Sequence, residues 1–214
     1  IIAQFYRGFA TAATLPASPN SPAYTAGLAN RYPYEPMRLI QAVEEYRDTA
    51  TGEAILLVNG EDSIRLRVAN KIAQDLNRCG MKVKVSGLPT KEYTKALKAG
   101  DYDLYLGQTR LSANMDLTEF FRPYGEMSRG GLQHETIYSM CLNALENNGN
   151  YYNLYQKLVQ DGRVIPVMFG HYNVYAERGL LPDLQPSRDN VFYYTLGRTE
   201  TDALVPIDYN KSNG

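Results

Sequence analysis

Between residues 54 and 107 the sequence alternates twice between a strand-like run and an amphipathic helical segment. The first run, AILLVNG, is continuously apolar, which is typical of a strand buried on both faces of a sheet. MKVKVSG and DYDLYLG have the composition of two further strands, and DYDLYLG is too apolar for an exposed strand. This β-α-β-α-β order with short connections predicts parallel strands joined by right-handed crossovers. The expected fold is therefore α/β, with a parallel or mixed sheet and flanking helices.

The first intervening helix has recognisable ends. Apolar residues recur at every fourth position from Ile64 to Leu76, which indicates one buried face. Asp62 or Ser63 is expected to cap the start, and Gly80 follows the last turn, where a left-handed backbone commonly ends a helix.

The second helix begins at Thr90 and stops at Gly100, before the third strand. In open parallel sheets ligands bind beyond the carboxyl ends of the strands. The segment just after Leu106 is therefore the first place to expect a binding site.

The region before the sheet has a different composition. Residues 11–36 hold five prolines among small residues, which predicts an ordered coil or a wrapping arm. Pro36 suits the first turn of a short amphipathic helix that continues to about Arg47.

The region after the sheet predicts two more helices and a strand. The first helix ends near residues 147–149, and Gly162 stops the second. VIPVMFGHYNVYAERG then reads as a strand, with Pro166 at an edge or at its entry. We expect a single domain made of a proline-rich arm with its helix, an α/β ligand-binding lobe and a tail, over residues 1–53, 54–198 and 199–214.

Charge and hydropathy limit the partners. The chain has 22 Lys and Arg against 23 Asp and Glu, and no window concentrates the basic residues as a phosphate-tracking surface does, which argues against nucleic acid. No run approaches the roughly 18 apolar residues of a membrane span, so we expect membrane contact only through an anchor outside this chain. The sequence opens at Ile1 rather than Met. We expect a mature or excised piece of a longer protein.

Short motifs that carry catalysis or phosphate binding are absent from the sequence. It contains no GxGxxG, GxxxxGK, GxSxG, HExxH or EF-hand loop. Two cysteines and two distant histidines make no zinc site. Cys79 and Cys141 are either free thiols or a disulfide pair, and we favour free thiols. We expect no catalytic residue, no metal and no cofactor.

Several polar positions have both a structural and a ligand-binding interpretation. Asp116, in ANMDLTEFF after the third strand, either caps the next helix or faces a ligand. His171, beside Gly170 in MFGHYN, is either a hydrogen-bonding group at a cleft edge or a satisfied strand histidine. His134 is expected to cap or flank a helix.

A series of sequence blocks occurs in a characteristic order. YRGFATAATLPASPNSPAYTAG is followed by YPYEP, by a strand and a helix that ends in LNRCG, by MKVKV and by GDYD at the next strand. LYQKLVQDGRVIPVMFGHYNVYAERG and LQPSRDNVFYYTLG come later. In this order the blocks resemble family 5 extracellular solute-binding proteins, the peptide and nickel receptors of ABC importers. The resemblance covers nearly the whole chain, to about Arg198.

The resemblance implies both an architecture and a role. The architecture is one lobe, the second, of a type II periplasmic-binding-protein-like clamshell, whose first lobe lies largely ahead of this region and supplies the rest of the ligand shell. The role is capture of short peptides, or a related small solute, and delivery to ABC permease subunits. The implied location is the extracellular face of the cytoplasmic membrane, through a lipid anchor, or the periplasm. Such a receptor needs no nucleophile.

The loop after the third strand departs from the family pattern. Many members have Trp in a W-x-x-D patch that meets the amino terminus of a peptide, whereas this chain has Gln108, Thr109 and Arg110, with the acidic position near Ser112-Ala113. A guanidinium at Arg110 pairs with a ligand carboxylate if it lies in a cleft, and otherwise is a solvated loop arginine. The ligand-binding candidates are Gln108, Thr109, Arg110, Asp116, Gly170 and His171.

Two other function classes stay open at this point. An effector-binding domain of a transcriptional regulator uses the same bilobal scheme, although no helix-turn-helix or basic patch is visible. A small α/β hydrolase or transferase is disfavoured by the absent motifs. The coding sequence upstream of Ile1 discriminates between them, because a signal peptide and first lobe indicate a receptor and a DNA-binding module indicates a regulator.

Overall fold

The computed structural model describes residues 1–48, 52–112, 114–146 and 151–171. The elements below lie within these described residues. Among the described residues, no helix has the length and apolar character needed to cross a bilayer.

The predicted parallel sheet is present. Strand β2 (Ala54–Asn59) lies between β3 (Val83–Leu88) and β4 (Leu104–Leu106), and both pairings are parallel. Leu56 is opposite Val85 in β3 and opposite Leu104 in β4. The sheet order β3-β2-β4 confirms the β-α-β-α-β prediction.

Two helices connect these strands, and their ends follow the sequence signals. Helix α3 (Ser63–Arg78) is capped by Asp62, whose side chain accepts the Arg65 N–H at 2.8 Å. Gly80 follows its last turn with φ +95°. Helix α4 (Thr90–Ala99) ends at Gly100 with φ +80°. Both glycines adopt the left-handed backbone that other residues avoid.

The three strands are not equally buried. Leu56, Leu57 and Val58 of β2 are 4%, 1% and 0% exposed, as expected for a central strand. The same expectation for DYDLYLG is wrong, because Leu104 of β4 is 36% exposed. In the described part of the chain β4 has a strand neighbour on one side only, so its apolar composition does not indicate burial on both faces.

One apolar cluster lies between the sheet and α3, and a second packs the arm against the later helices. It joins the arm to helices α5 (Thr118–Phe121), α6 (Glu135–Glu146) and α7 (Tyr151–Asp161). Its fully buried side chains include Leu15 and Leu28 from the arm and Phe121, Ile137, Tyr155 and Leu158 from the helices. The arm contains strand β1 (Ala10–Ala12) and the short helix α1 (Ala26–Ala29), where only coil was predicted.

The other predicted elements are present but shorter than the sequence suggested. Helix α2 (Pro36–Glu45) starts at the expected proline. Residues 147–149, the expected end of α6, lie outside the described residues. The late strand is short, since β5 (Met168–Gly170) pairs antiparallel with β1 and the described chain ends at His171.

Candidate ligand-binding edge

The carboxyl ends of the three parallel strands meet at one edge of the sheet. The chain leaves this edge after Asn59, Leu88 and Leu106. The Gly60 N–H donates to the Leu88 carbonyl at 2.7 Å, so the first two loops start side by side. A Cβ at Gly60 would lie 3.0 Å from the Gly87 carbonyl carbon, which is too close for most side chains.

Polar side chains tie these two loops together. Asn59 Nδ2 donates to Thr90 Oγ1 at 3.1 Å, and the Asn59 Oδ1 accepts the Glu61 N–H at 3.0 Å. The Thr90 hydroxyl also donates to the Glu61 carboxylate. The edge is therefore a hydrogen-bonded rim rather than a set of independent loops.

Arg65 is the functional candidate that sequence reasoning missed. Its Nη2 donates to Gln108 Oε1 at 2.9 Å and lies 3.0 Å from Asp62 Oδ2. The Arg65 side chain is 21% exposed, so the guanidinium is largely removed from water but still reachable. The sequence signal was an arginine in the first turn of the helix that follows the central strand.

Two tyrosines lie within electrostatic range of this arginine. Burial raises the pKa of Tyr6, the last residue of the first helical turn (Ile2–Tyr6), and the negative charge of Asp62 raises it further. Burial also raises the pKa of Tyr93 on α4, while the positive charge of Arg65 opposes both shifts. Both phenols are therefore neutral hydrogen-bonding groups near pH 7.

The loop after β4 places its three candidates in solvent. Gln108, Thr109 and Arg110 are all exposed. Gln108 is held by Arg65, which anchors the start of this loop to the first turn of α3. The predicted location just after Leu106 therefore coincides with the carboxyl edge of the sheet.

The other candidates have local roles. The Asp116 Oδ1 accepts the Thr118 N–H at 2.8 Å in a local turn just before α5, whose N-cap is Leu117, so Asp116 is not the N-cap that the sequence offered. Gly170 and His171 are exposed at the end of β5. The His171 Nε2 lies 2.6 Å from Thr11 Oγ1, and the backbone N–H of His171 donates to the Phe9 carbonyl, which is the satisfied strand arrangement.

These groups are not brought together by hydrogen bonds. Within the described ranges, no hydrogen bond or ion pair joins Asp116 or His171 to Arg65 or Gln108. His134 is likewise local, because its Nδ1 accepts the Ile137 N–H at 3.3 Å and caps α6 as predicted.

The cysteines and acidic residues offer no second centre. Cys79 and Cys141 are free, as expected. Burial raises the pKa of the Cys141 thiol to about 12, so it stays protonated. Among the side chains that the structure describes, no three His, Cys, Asp or Glu residues cluster as metal ligands.

Comparison with protein families gives one match. Residues 1–131 match the model of "Bacterial extracellular solute-binding proteins, family 5 Middle". A comparison with curated protein sequences found no match.

Solved structures share the fold at low sequence identity. The oligopeptide-binding protein AppA of Bacillus subtilis, solved with a nonapeptide, is 17% identical with a TM-score of 0.63. A periplasmic oligopeptide-binding protein of Thermotoga maritima, bound to mannohexaose, is 17% identical with a TM-score of 0.66. NikA of Brucella suis, in complex with Fe(III)-EDTA, is 20% identical with a TM-score of 0.61.

All three similarities are partial in the same way. Each covers 79% of this chain but only 38–39% of the matched protein. The chain therefore corresponds to well under half the length of these relatives.

Proposed function

Because the chain belongs to family 5 of the bacterial extracellular solute-binding proteins, we propose that it is the second lobe of a two-lobed receptor. The receptor captures short peptides, or a related small solute, and delivers them to the permease subunits of an ABC importer. The fold similarity to peptide and metal-complex receptors supports this role. The receptor acts by binding and closure rather than by catalysis.

The observation that carries the proposal is the Arg65 site at the carboxyl edge of the sheet. Among the described residues, both contacts of the guanidinium are made by Nη2. Nη1 and Nε therefore point to a role in binding a ligand. A half-buried guanidinium binds a carboxylate through two charge-assisted hydrogen bonds. Every linear peptide with a free carboxyl terminus carries such a carboxylate.

The remaining residues have graded roles in this proposal. Gln108 positions Arg65, and Thr109 and Arg110 extend the same rim toward the ligand. Asp116, Gly170 and His171 remain ligand-binding predictions, although their observed contacts are satisfied locally. The phenols of Tyr6 and Tyr93 add neutral donors beside the arginine.

The proposed setting follows from the family. The ligand is met outside the cytoplasmic membrane, and the receptor reaches the permease either from the periplasm or through a lipid anchor outside this chain. The first lobe of the same receptor closes over the carboxyl edge and supplies the rest of the ligand shell.

Arg65 is tested with two matched peptides and the two-lobed receptor. Trialanine carries a free carboxylate and trialaninamide does not. Replacing Arg65 by Met is expected to weaken trialanine binding about 10- to 100-fold, corresponding to about 1.5–3 kcal/mol for a hydrogen bond to a charged group, and to leave trialaninamide unchanged. Calorimetry measures both affinities.

Two further variants complete the test. Arg110→Met reports whether the loop arginine shares the carboxylate, and Arg38→Met is the control, since Arg38 is an exposed arginine of α2. An equal loss for both peptides in Arg65→Met would show a structural role instead. A receptor that binds neither peptide would refute the peptide class.

A further inference from the structure

Lysine is unevenly distributed along this chain. Of its eight lysines, five lie within residues 82–98, together with one acidic residue, Glu92, and no arginine. Five lysines against one glutamate give this segment a formal charge of +4 in a chain whose net charge is −1. Residues 82–98 are thus an exception to the expectation that no window of the chain concentrates basic residues.

Helix α4 gathers three of these lysines on one face. Lys91, Lys95 and Lys98 are spaced by four and three residues, which puts them within about 60° around the helix axis and along about 10 Å of its length. All three are exposed. The half-buried residues Tyr93 and Leu97 lie on the opposite side of the helix.

Strand β3 extends this basic surface. Val83 and Val85 pack in the apolar cluster under α3, so the intervening Lys84 points to the other face of the sheet. Helix α3 connects β2 to β3, and α4 connects β3 back across β2 to β4. Because the two right-handed crossovers run in opposite directions along the sheet, α3 and α4 lie on opposite faces, and α4 lies on the face of Lys84. Lys84 is exposed there, beside α4.

These lysines form no ion pair with another described residue. In the part of the chain that the structure describes, the lysine ion pairs are those of Lys71 and Lys157. Among the described residues, the four exposed ammonium groups of Lys84, Lys91, Lys95 and Lys98 therefore form a cationic surface that no carboxylate neutralises.

We propose that this lysine face, formed by Lys84, Lys91, Lys95 and Lys98, docks on the anionic headgroups of a lipid bilayer, a membrane contact in addition to the anchor expected outside this chain. Lysines are depleted in protein–protein interfaces, where arginine and aromatic anchors dominate, and the lysine face has neither. Mobile point charges in a row suit a diffuse anionic surface. An acidic protein is the alternative partner, and the test below separates it.

The experiment is cosedimentation of the 214-residue chain with vesicles at low salt. The vesicles contain phosphatidylcholine alone or a 3:1 mixture with phosphatidylglycerol. We expect binding to the mixed vesicles only. The triple variant Lys91→Gln, Lys95→Gln, Lys98→Gln should lower the partition coefficient about 100-fold, at about fivefold per lysine.

A matched triple variant controls for net charge. Arg38→Gln, Arg47→Gln and Arg78→Gln remove the same charge from side chains that are 77%, 69% and 67% exposed. Arg38 lies on α2, Arg47 is the second residue after α2, and Arg78 is the last residue of α3. Circular dichroism checks that both variants fold. The readout involves no peptide, so its failure is separate from failure of the receptor role.

Three results would overturn the proposal. The first is no binding to the mixed vesicles, and the second is an equal loss in the two triple variants. The third is preferential binding of the lysine face to polyglutamate over vesicles, which would assign it to an acidic polypeptide.

Discussion

Asp62 has two contacts with the same residue. Its Oδ1 accepts the Arg65 N–H at 2.8 Å, and its Oδ2 lies 3.0 Å from the Arg65 guanidinium. The first contact caps α3 and the second orients the side chain that reaches Gln108. One carboxylate thus stabilises the helix and positions the proposed ligand anchor.

This double role predicts a difference between two adjacent substitutions. Asp62→Ala should lower the free energy of unfolding by about 1 kcal/mol, and up to about 2 kcal/mol, because it removes the cap. Ser63→Ala, the control, should change it by less than about 0.5 kcal/mol. Urea denaturation measures both. A larger loss for Ser63→Ala would mean that the cap is assigned to the wrong residue.

At the residue scale, the contacts that could be predicted from the sequence are those between residues close together in the chain. Capping by Asp62 or Ser63 and by His134 follows from side-chain type and position before a helix, and the structure selects Asp62 for α3. The Arg65–Gln108 contact joins residues 43 apart in sequence. It depends on β4 lying next to β2, which no local pattern indicates.

At the scale of elements, β3 is an outer strand of the sheet that the structure describes, and a side chain caps the backbone of its first residue. The Val83 N–H donates to Asn77 Oδ1 at 2.7 Å, and the Asn77 Nδ2 donates to the Val83 carbonyl at 3.0 Å. On the side of β3 that faces β2, the Ala54 N–H donates to the carbonyl of Lys82, the residue before Val83. The Asn77 carboxamide therefore occupies the place of a strand peptide, beside a groove of about 510 Å³ lined by α3 and β3.

Removing this cap should expose the edge. Asn77→Ala is expected to speed hydrogen exchange of the Val83 amide at least tenfold, to cost about 1–3 kcal/mol of stability and to promote self-association. Asn70→Ala is the matched control, since Asn70 lines the same groove but donates to the Leu66 carbonyl. Amide exchange by NMR and light scattering measure the effects. Unchanged Val83 protection in Asn77→Ala would contradict the role of Asn77.

The elements themselves were largely predictable, whereas their burial was not. Strong boundaries such as Pro36, Thr90 and Gly162 match the observed helices because caps and breakers act locally. The apolar run of β4 gave a wrong prediction of burial, because an edge strand and a central strand can have the same composition. Sheet order, which decides between them, is a property of the whole fold.

At the scale of the molecule, the proposed ligand-binding edge lies on a fold that matches only part of each solved relative. It spans 38–39% of the receptors it resembles. The order of sequence blocks was enough to predict the family, because it reflects the order of elements along the chain. The meeting of Tyr6, Arg65, Tyr93 and Gln108 was beyond that order, since it requires the packed sheet.

The central claim is that this chain contributes one half of a solute site. A single lobe lacks the contacts and the closure that make a clamshell receptor bind tightly. The direct measurement is calorimetric titration of trialanine into the 214-residue chain alone and into the two-lobed receptor. The account predicts a Kd weaker than about 1 mM for the chain alone and a Kd in the micromolar range for the receptor, a difference of about 4 kcal/mol. Micromolar binding of the peptide by the chain alone would contradict the account and identify it as a complete binding domain.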